Sequence, residues 1–294
     1  MLYTGRMQQQ SQRQLHQLEK IVAVFALLAV LLLTVGFAQA QSGKVFLRSN
    51  AVLVQDANSG QTILAKNSDS VMPIASITKL MTAMVLLDSG VDMQQRVVVS
   101  REDVDHLKGT RSRLRPGSSL TRDDLLLLAL MASENRAAAA LARTYPGGTG
   151  AFVAAMNAKA RALGMQDTHY VDPTGLNSDN VSSPRDLARL VRAAAEYPQI
   201  RAYTTRGRAK VEARGRTLAY HNTNRLVSNP HWDIDLSKTG YISEAGRCLV
   251  MQFTVASREL IVVLLDSWGK YSRIGDANRI RKWLESSALA DSRG

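Results

Sequence analysis

A serine and a lysine three residues apart, Ser76 and Lys79, are the side chains in this sequence best placed for covalent chemistry. At the start of a helix, residues i and i+3 share one face, so the hydroxyl and the amine come within reach of each other. In this arrangement a lysine, rather than a histidine, activates a serine nucleophile. The pair alone is a weak signal, because Ser-x-x-Lys occurs by chance in most long chains, usually with a solvated lysine.

Two further motifs follow the first in order and strengthen it. Ser133-Glu-Asn135 offers a hydroxyl and an amide, and Lys238-Thr-Gly240 offers a second amine beside a glycine that another backbone can approach closely. Three motifs in this order, each in a suitable local context, are a strong signal for a serine enzyme that works by acyl transfer. The three motifs together predict one active site, to which distant parts of the chain contribute.

Hydrophobic periodicity and turn residues predict the elements that position the motifs. Strands are expected at Ala51–Ala57 and Gln61–Lys66, and the nucleophile should lie on a helix from about Ile74 to Asp88. Leu125 to Ala132 is apolar all round after a capping sequence, which predicts a buried helix. This helix would deliver the second motif from the protein interior to a fixed place.

The remaining elements follow the same rules. Further helices are predicted at Arg136–Thr144, Phe152–Leu163, Ser183 to about Tyr197 (stopping before Pro198) and Tyr271–Leu289. Strands are predicted at Leu236–Ser243, Arg247–Ala256 and Glu259–Asp266, with a basic, exposed hairpin or edge at Arg206–Arg216. The loops between the last three strands are short enough to require antiparallel hairpins.

These elements predict an α+β fold with an antiparallel sheet built from both ends of the chain. The sheet part would comprise residues 41–88 and 201–294, and residues 89–200 would form an inserted helical subdomain. The active site is expected between the two parts. Residues 41–294 should therefore form a single catalytic domain.

The N-terminal 40 residues have the organisation of a secretory signal. A basic, Gln-rich segment precedes the apolar run Ile21–Phe37, and Ala38-Gln-Ala40 offers a signal-peptidase site. We expect cleavage near Ala40, no stable membrane anchor afterwards, and a periplasmic location; an uncleaved anchor is the alternative. With Cys248 as the single cysteine, the exported fold has no internal disulfide, and this residue is expected to be buried in a strand.

The formal net charge of +12 suggests an anionic partner. Nucleic acid is disfavoured, because aromatic residues make up only 5% of the chain and no recognised nucleic-acid motif occurs. A carboxylate-rich polymer such as cell-wall peptidoglycan fits the charge equally well. Arg111, Arg113 and Arg115 form a cluster that is either a solvated rim or a contact with an anionic substrate.

No cofactor or metal is expected. The histidines His106, His169, His221 and His231 lack metal-ligand spacing, and one cysteine cannot build a structural zinc site. His221 and His231 could line the cleft near the third motif, but surface histidines or histidines with satisfied hydrogen bonds are the preferred interpretation. The glycines between Pro146 and Gly150 are not followed by the Lys-Ser/Thr of a phosphate-binding loop.

The three motifs and the strand–helix order resemble the penicillin-binding protein and serine β-lactamase superfamily over residues 45 to 288. Within it the chain is similar to low-molecular-mass DD-peptidases, and especially to D-alanyl-D-alanine endopeptidases of the penicillin-binding protein 7 type. The stretches that carry this closer resemblance begin at Pro73, Leu125, Tyr145, Asp172 and His221. The resemblance implies the DD-peptidase/β-lactamase-like fold.

The resemblance also assigns roles to residues of the three motifs. Ser76 would form the acyl-enzyme, Lys79 would take its proton, Ser133 would relay protons to the leaving amine, and Asn135 would hold Lys79 and the substrate amide. The strand edge that binds the peptide would be formed by Lys238, Thr239, Gly240 and Tyr241. The backbone amides of Ser76 and Tyr241 would form the oxyanion hole.

The implied function is a periplasmic endopeptidase that hydrolyses D-alanyl–diaminopimelate cross-links in peptidoglycan and is inhibited by β-lactams. A D-alanyl-D-alanine carboxypeptidase that trims stem peptides is the alternative. The resemblance implies that the larger carboxypeptidases carry a further β-rich domain after the third motif. Only 54 residues follow Gly240 here, which favours the endopeptidase. A catalytically silent wall-binding protein would not need Ser76 and Lys79. A fast β-lactamase is disfavoured, because residues 166–183 contain no deacylating glutamate.

Overall fold

The computed structural model describes residues 45–291, with side chains described up to residue 287. The predicted signal segment and its cleavage site lie outside the described residues, so both stay predictions. No helix in residues 45–291 combines the length and the apolar character needed to cross a membrane. The description below concerns the compact unit that begins at Val45.

A five-stranded antiparallel sheet forms the centre of this unit. Its strands are β1 Ser49–Asp56, β2 Thr62–Lys66, β9 Asp233–Ile242, β10 Gly246–Val255 and β11 Arg258–Ser267. They lie in the order β2-β1-β11-β10-β9, so strands from the two ends of the chain meet at the β1–β11 pair. The predicted sheet is confirmed, and β9 is left as an edge strand.

The sheet is covered on both faces, which explains the nearly continuous apolar sequences of β10 and β11. Alternate residues of β1 show the division: Ala51 and Leu53 belong to the core beneath the inserted helices. Val52 and Val54 belong to a second core, shared with Ile280 of the C-terminal helix. The two-residue period of a strand thus distributes one apolar run between two cores.

The C-terminal helix, α7 (Ser272–Asp291), is anchored to the first strand by a buried carboxylate. Asp276 is fully buried and accepts hydrogen bonds from the backbone nitrogen of Arg48 at 3.0 Å and that of Ser49 at 2.7 Å. The Ser49 hydroxyl donates to the same carboxylate at 2.5 Å. These bonds hold the two chain ends together behind the sheet.

The other helices of the described residues pack on the opposite face of the sheet. They are α1 Lys79–Asp88, α2 Arg122–Met131, α3 Asn135–Arg143, α4 Gly148–Ala162, α5 Pro184–Ala195 and α6 Pro198–Thr204. Short antiparallel pairs connect them: β3 Met72–Pro73 with β6 Val181–Ser182, and β4 Arg96–Val98 with β5 Ser119–Thr121. A hairpin, β7 Arg208–Ala213 with β8 Arg216–His221, returns the chain toward the sheet.

Three sequence predictions need correction. Pro198 was expected only to end a helix, but it also begins α6, because its fixed φ suits the first helical position. The helix predicted from Phe152 starts at Gly148, so its first turn is built on the glycine-rich segment. The nucleophile segment begins as a 3₁₀ turn, Ala75–Thr78, and becomes α-helical only at Lys79.

Candidate active site

The first motif sits where the 3₁₀ turn joins α1. Ala75, just before the serine, adopts the left-handed conformation with φ 48°, which is uncommon outside glycine and typical of functional turns. The turn leaves Ser76 partly exposed while Lys79 is buried. The Lys79 Nζ and Ser76 Oγ atoms lie 2.8 Å apart, as the helical spacing predicts.

The Lys79 side chain is buried, and its amine contacts three oxygen atoms. Besides Ser76 Oγ, its amine contacts Asn135 Oδ1 at 2.7 Å and the carbonyl oxygen of Thr174 at 2.6 Å. The side chain is only 1% exposed, and this burial lowers its pKa to about 7, although the charges of Asp172 and Glu134 act in the opposite direction. A substantial neutral fraction is therefore present near pH 7, which a general base requires.

The Thr174 carbonyl belongs to a loop, residues 172–177, that packs directly against the nucleophile turn. The Asp172 carboxylate organises this loop by accepting from the backbone nitrogens of Thr174, Gly175 and Asn177 at 2.5–2.9 Å. The Thr82 hydroxyl of α1 donates to the carbonyl of Pro173 at 2.6 Å. The loop thus fixes one of the three acceptors of Lys79.

Gly175 brings this loop against the turn, and an added methyl group would disturb both. Its φ is +80°, and a Cβ there would lie 1.9 Å from the carbonyl oxygen of Ala75. We expect Gly175→Ala to lower the free energy of unfolding by about 3 kcal/mol or more, because left-handed strain and a backbone clash combine. Urea unfolding followed by circular dichroism measures the effect.

Gly117→Ala is the matched control for this prediction. Gly117 has φ +86°, but no atom lies within 4 Å of the position its Cβ would take. The control should therefore lose only the conformational term, about 1–2 kcal/mol. Equal losses in the two variants would show that the contact with Ala75 is unimportant.

The second motif occupies the break between α2 and α3. Ser133 adopts a left-handed conformation with φ 58°, which turns the chain sharply after the buried helix α2. Asn135 opens α3; its amide oxygen faces Lys79, and its amide nitrogen donates to Thr110 Oγ1 at 3.1 Å. The motif therefore presents a hydroxyl and an oriented amide to the same site.

The middle residue of this motif, Glu134, contacts the start of α3. Its side chain accepts from the backbone nitrogen of Arg136 at 3.3 Å and so caps α3. The residue is only 8% exposed, and burial raises the pKa of its carboxyl group, whereas its interaction with the Ser112 hydroxyl lowers it. Glu134 is therefore a buried residue that caps α3.

The third motif lies on the edge strand β9, alongside the nucleophile turn. A Cβ at Gly240 would lie 2.9 Å from the carbonyl oxygen of Ile74 and 3.2 Å from the backbone nitrogen of Ser76. Glycine is therefore needed for the strand to pass this close. Thr239 Oγ1 is 2.6 Å from Thr223 Oγ1, while the next side chain, Tyr241, is 56% exposed.

The second buried lysine, Lys238, connects the second and third motifs. Its Nζ donates to Ser133 Oγ at 2.9 Å and to the carbonyl oxygen of Thr239 at 2.9 Å. Burial lowers its pKa well below the usual value, and the charges of Lys79 and Arg273 lower it further. Arg273 of α7 also donates to the carbonyl oxygen of Gly240 at 2.7 Å, which supports β9 from behind.

The structure thus gathers Ser76, Lys79, Ser133, Asn135, Lys238, Thr239 and Gly240 at one place, with Tyr241 at its rim. Sequence reasoning did not select Thr174 and Arg273 as site residues. Thr174 acts through its main-chain carbonyl, and an arginine on a C-terminal helix carries no motif. The position of Thr174 in the Asp172-Pro-Thr-Gly sequence was the available signal.

The other candidates from the sequence lie elsewhere. His221 and His231 are exposed, and Cys248 is a buried free thiol whose pKa is raised to about 11 by burial. Within the described residues, no group of three or more His, Cys, Asp or Glu side chains is placed to hold a metal ion. The chemistry available to the site is that of a serine hydroxyl beside a partly neutral amine, with a free strand edge for an extended peptide.

Comparisons with known proteins agree with this chemistry. A family model described as D-alanyl-D-alanine carboxypeptidase, of the S11 peptidases, matches residues 38–269. The chain is 49% identical over 245 residues to a D-alanyl-D-alanine endopeptidase of Pseudomonas aeruginosa, covering 83% of this chain and 79% of that protein. It is 45% identical over 243 residues to the Escherichia coli protein of the same name, covering 82% and 78% respectively.

Solved structures show the same architecture. The Streptomyces DD-transpeptidase matches with a TM-score of 0.76 at 26% identity, covering 84% of this chain and 99% of that one. A D-alanyl-D-alanine carboxypeptidase from Mycobacterium tuberculosis matches with a TM-score of 0.75 at 28% identity, covering 83% and 94%. The DD-peptidase fold expected from the three motifs is therefore confirmed.

Proposed function

Since the chain belongs to the D-alanyl-D-alanine carboxypeptidase family of serine peptidases, we propose that it hydrolyses D-alanyl–diaminopimelate cross-links in peptidoglycan through an acyl-enzyme on Ser76. Membership in the family makes the protein a serine-type DD-peptidase. The observation that carries the mechanism is the buried Lys79 amine, 2.8 Å from the serine hydroxyl, with a pKa of about 7. The names of the two endopeptidase relatives support the choice of bond.

The substrate peptide would bind as an added strand along β9. This strand pairs only with β10 in the described part of the chain, so its other edge is free to form main-chain hydrogen bonds with an extended peptide. Lys238 and Thr239 would then meet the carboxylate side of the peptide, and the close approach of Gly240 to Ser76 would bring the scissile carbonyl beside the nucleophile. The amides of Ser76 and Tyr241 are the proposed oxyanion donors.

Acylation requires one proton transfer in each direction. Neutral Lys79 would take the hydroxyl proton as Ser76 Oγ attacks the carbonyl carbon and forms the tetrahedral adduct. Collapse breaks the carbon–nitrogen bond, and the proton that Lys79 took would pass through Ser133, whose Oγ is held by Lys238 at 2.9 Å, to the leaving amine. Lys79, neutral again, would take a proton from the water that attacks the acyl-enzyme, and would return it to Ser76 Oγ as the acyl–oxygen bond breaks.

The proposed location is the periplasm, where the substrate lies, and the support is the leader-like sequence that ends near Ala40. β-Lactams are proposed to acylate Ser76 in place of the peptide. Residues 166–183 contain no glutamate that could assist deacylation. The residue of this segment that contacts Lys79 is Thr174, through its carbonyl group. Release of the penicilloyl group should accordingly be slow.

Digestion of a purified cross-linked muropeptide dimer tests the proposed function. We expect the products to be two monomers, formed by cleavage of the D-alanyl–diaminopimelate bond and identified by liquid chromatography and mass spectrometry. A monomeric pentapeptide, which offers a terminal D-alanine, is the parallel substrate. Release of D-alanine from the pentapeptide with an intact dimer would assign the protein as a carboxypeptidase instead.

A further inference from the structure

A cavity of about 400 Å³ lies between the β7–β8 hairpin and the loop around residues 112–118. Four of its lining residues are arginines: Arg113, Arg115, Arg214 and Arg216. The other lining residues are Ser112, Ser118, Ala213 and Leu218, so none is acidic. We refer to this feature as the arginine cavity. It includes two members of the arginine cluster that the sequence left unassigned.

The positive charge of the arginine cavity is only partly engaged. The Arg113 guanidinium lies over the ring of Tyr220, 4.0 Å from its centroid, and Arg214 donates to the carbonyl oxygen of Pro116 at 3.1 Å. Arg115 and Arg216 form no side-chain hydrogen bond or ion pair with any other group in the described part of the chain. Two guanidinium groups therefore remain available for an anion.

The hairpin presents two different faces. Arg216 pairs with Ala213 and lies on the inner face, which forms the wall of the arginine cavity. Arg208 and Lys210 lie on the outer face, because strand residues alternate and both are exposed. The hairpin therefore carries positively charged side chains both inside the arginine cavity (Arg216) and outside it (Arg208 and Lys210).

The arginine cavity adjoins the active site through the loop that precedes it. Thr110 accepts the amide hydrogen of Asn135 at 3.1 Å, and Ser112, which lines the cavity, interacts with the buried carboxyl group of Glu134. Burial raises the pKa of the Tyr220 phenol to about 12, and the charge of nearby Glu134 acts in the same direction. Glu134 therefore lies at the boundary between the catalytic groups and the arginine cavity.

We propose that the arginine cavity binds carboxylate groups of a second stem peptide in the cross-linked substrate, away from the scissile bond. Guanidinium groups bind carboxylates with two parallel hydrogen bonds, which gives both affinity and orientation. This inference rests on the proposed function, because a second stem peptide is present only in a cross-linked substrate. A small acylating agent such as penicillin has no such part. The cavity would favour cross-linked peptide over short substrates by binding rather than by chemistry.

The test compares R115Q/R216Q with R208Q/K210Q. Both double variants remove two positive charges from the same region, but only the first removes them from the arginine cavity. We expect R115Q/R216Q to lose about tenfold in kcat/KM for the muropeptide dimer, mainly through KM, and to acylate with a fluorescent penicillin within about twofold of wild type. R208Q/K210Q should match wild type in both assays.

Chemical variation of the substrate identifies the ligand. A dimer in which only the free carboxylates away from the scissile bond have been converted to amides should be cleaved equally by wild type and R115Q/R216Q. Added inorganic phosphate at constant ionic strength should inhibit only weakly. If phosphate competes strongly and amidation has no effect, the cavity takes phosphate groups and the proposal is wrong.

The remaining outcomes are also decisive. Wild-type cleavage of the dimer by R115Q/R216Q overturns the proposal, and so does a parallel loss of penicillin acylation and thermal stability, which indicates a structural role. A wild-type protein that reacts with penicillin but leaves the dimer intact contradicts the proposed function itself. Binding of the dimer to Ser76→Ala protein, measured by calorimetry with and without R115Q/R216Q, then decides on the cavity separately.

Discussion

Replacing Ser76 by alanine is expected to abolish covalent labelling by a fluorescent penicillin and to reduce cleavage of the muropeptide dimer by roughly 10⁴-fold or more. The variant removes the hydroxyl oxygen to which the acyl group is proposed to attach, while the partners of Lys79 at Asn135 and Thr174 remain. The binding surfaces on β9 also remain. Intact-protein mass spectrometry after incubation with penicillin measures the acylated fraction directly.

Ser70→Ala is the matched control, because Ser70 is exposed and lies six residues before the nucleophile. It should label like the wild-type protein. The Ser76→Ala variant should also melt within a few degrees of wild type, since Ser76 is partly exposed and the change removes one hydroxyl group. Equal labelling of the wild-type protein and the Ser76→Ala variant would rule out Ser76 as the nucleophile.

The features that could be predicted from the sequence are those in which a residue type has a direct physical consequence. The i, i+3 spacing of Ser76 and Lys79 determined that the two side chains would meet, whether the backbone began as a 3₁₀ turn or an α-helix. The short loops between β9, β10 and β11 allowed only antiparallel pairing. The apolar runs at Arg247–Ala256 and Glu259–Asp266 identified β10 and β11 as strands, although coverage of both faces was not predicted.

The features that could not be predicted depend on main-chain atoms and on distant neighbours. Every residue has a carbonyl group, so nothing in the side chain of Thr174 announces a contact with Lys79 95 positions away. Gly175 gave only a partial signal, since a glycine indicates conformational freedom without naming the backbone it approaches. Pro198 was ambiguous because proline suits both the end of one helix and the start of the next.

The two buried lysines differ in their electrostatic environment. A lysine that acts as a base needs a lowered pKa, which burial or a nearby second cation such as Lys238 could provide. In the structure burial is the main cause for Lys79, and the nearby carboxylates of Asp172 and Glu134 act in the opposite direction. Burial also lowers the pKa of Lys238, and the charge of Lys79 lowers it further. The direct contact of Lys238 with the site is the hydrogen bond from its amine to Ser133 Oγ.

The base role of Lys79 predicts a particular pH dependence. A pKa of about 7 means that the amine is mostly protonated at a pH of about 5.5 and mostly neutral at about 8.5. Because only the neutral amine can accept the serine proton, acylation should rise about tenfold per pH unit below about pH 7 and level off above about pH 8. Stopped-flow acylation with a fluorescent penicillin between about pH 5 and about pH 9 measures the midpoint.

Lys79→Arg is expected to lower the acylation rate by about 10²-fold or more and to remove the rise with pH. Arginine keeps the positive charge but does not deprotonate at any accessible pH, and its planar guanidinium does not fit the three oxygen atoms that surround a single amine. If Lys79 acted only as a positive charge that orients the substrate, the arginine variant would retain much of the wild-type rate. The rate and its pH profile therefore separate a base from an orienting cation.

Lys79→Met provides a second test of the base role in case the arginine side chain disturbs the fold. Methionine is of similar length, carries no charge and suits a position that is 1% exposed, so the variant should melt at or above the wild-type temperature. It should be as inactive as Lys79→Arg at every pH, because neither side chain can take a proton from Ser76. A folded methionine or arginine variant that acylates within about threefold of wild type would show that another group is the base.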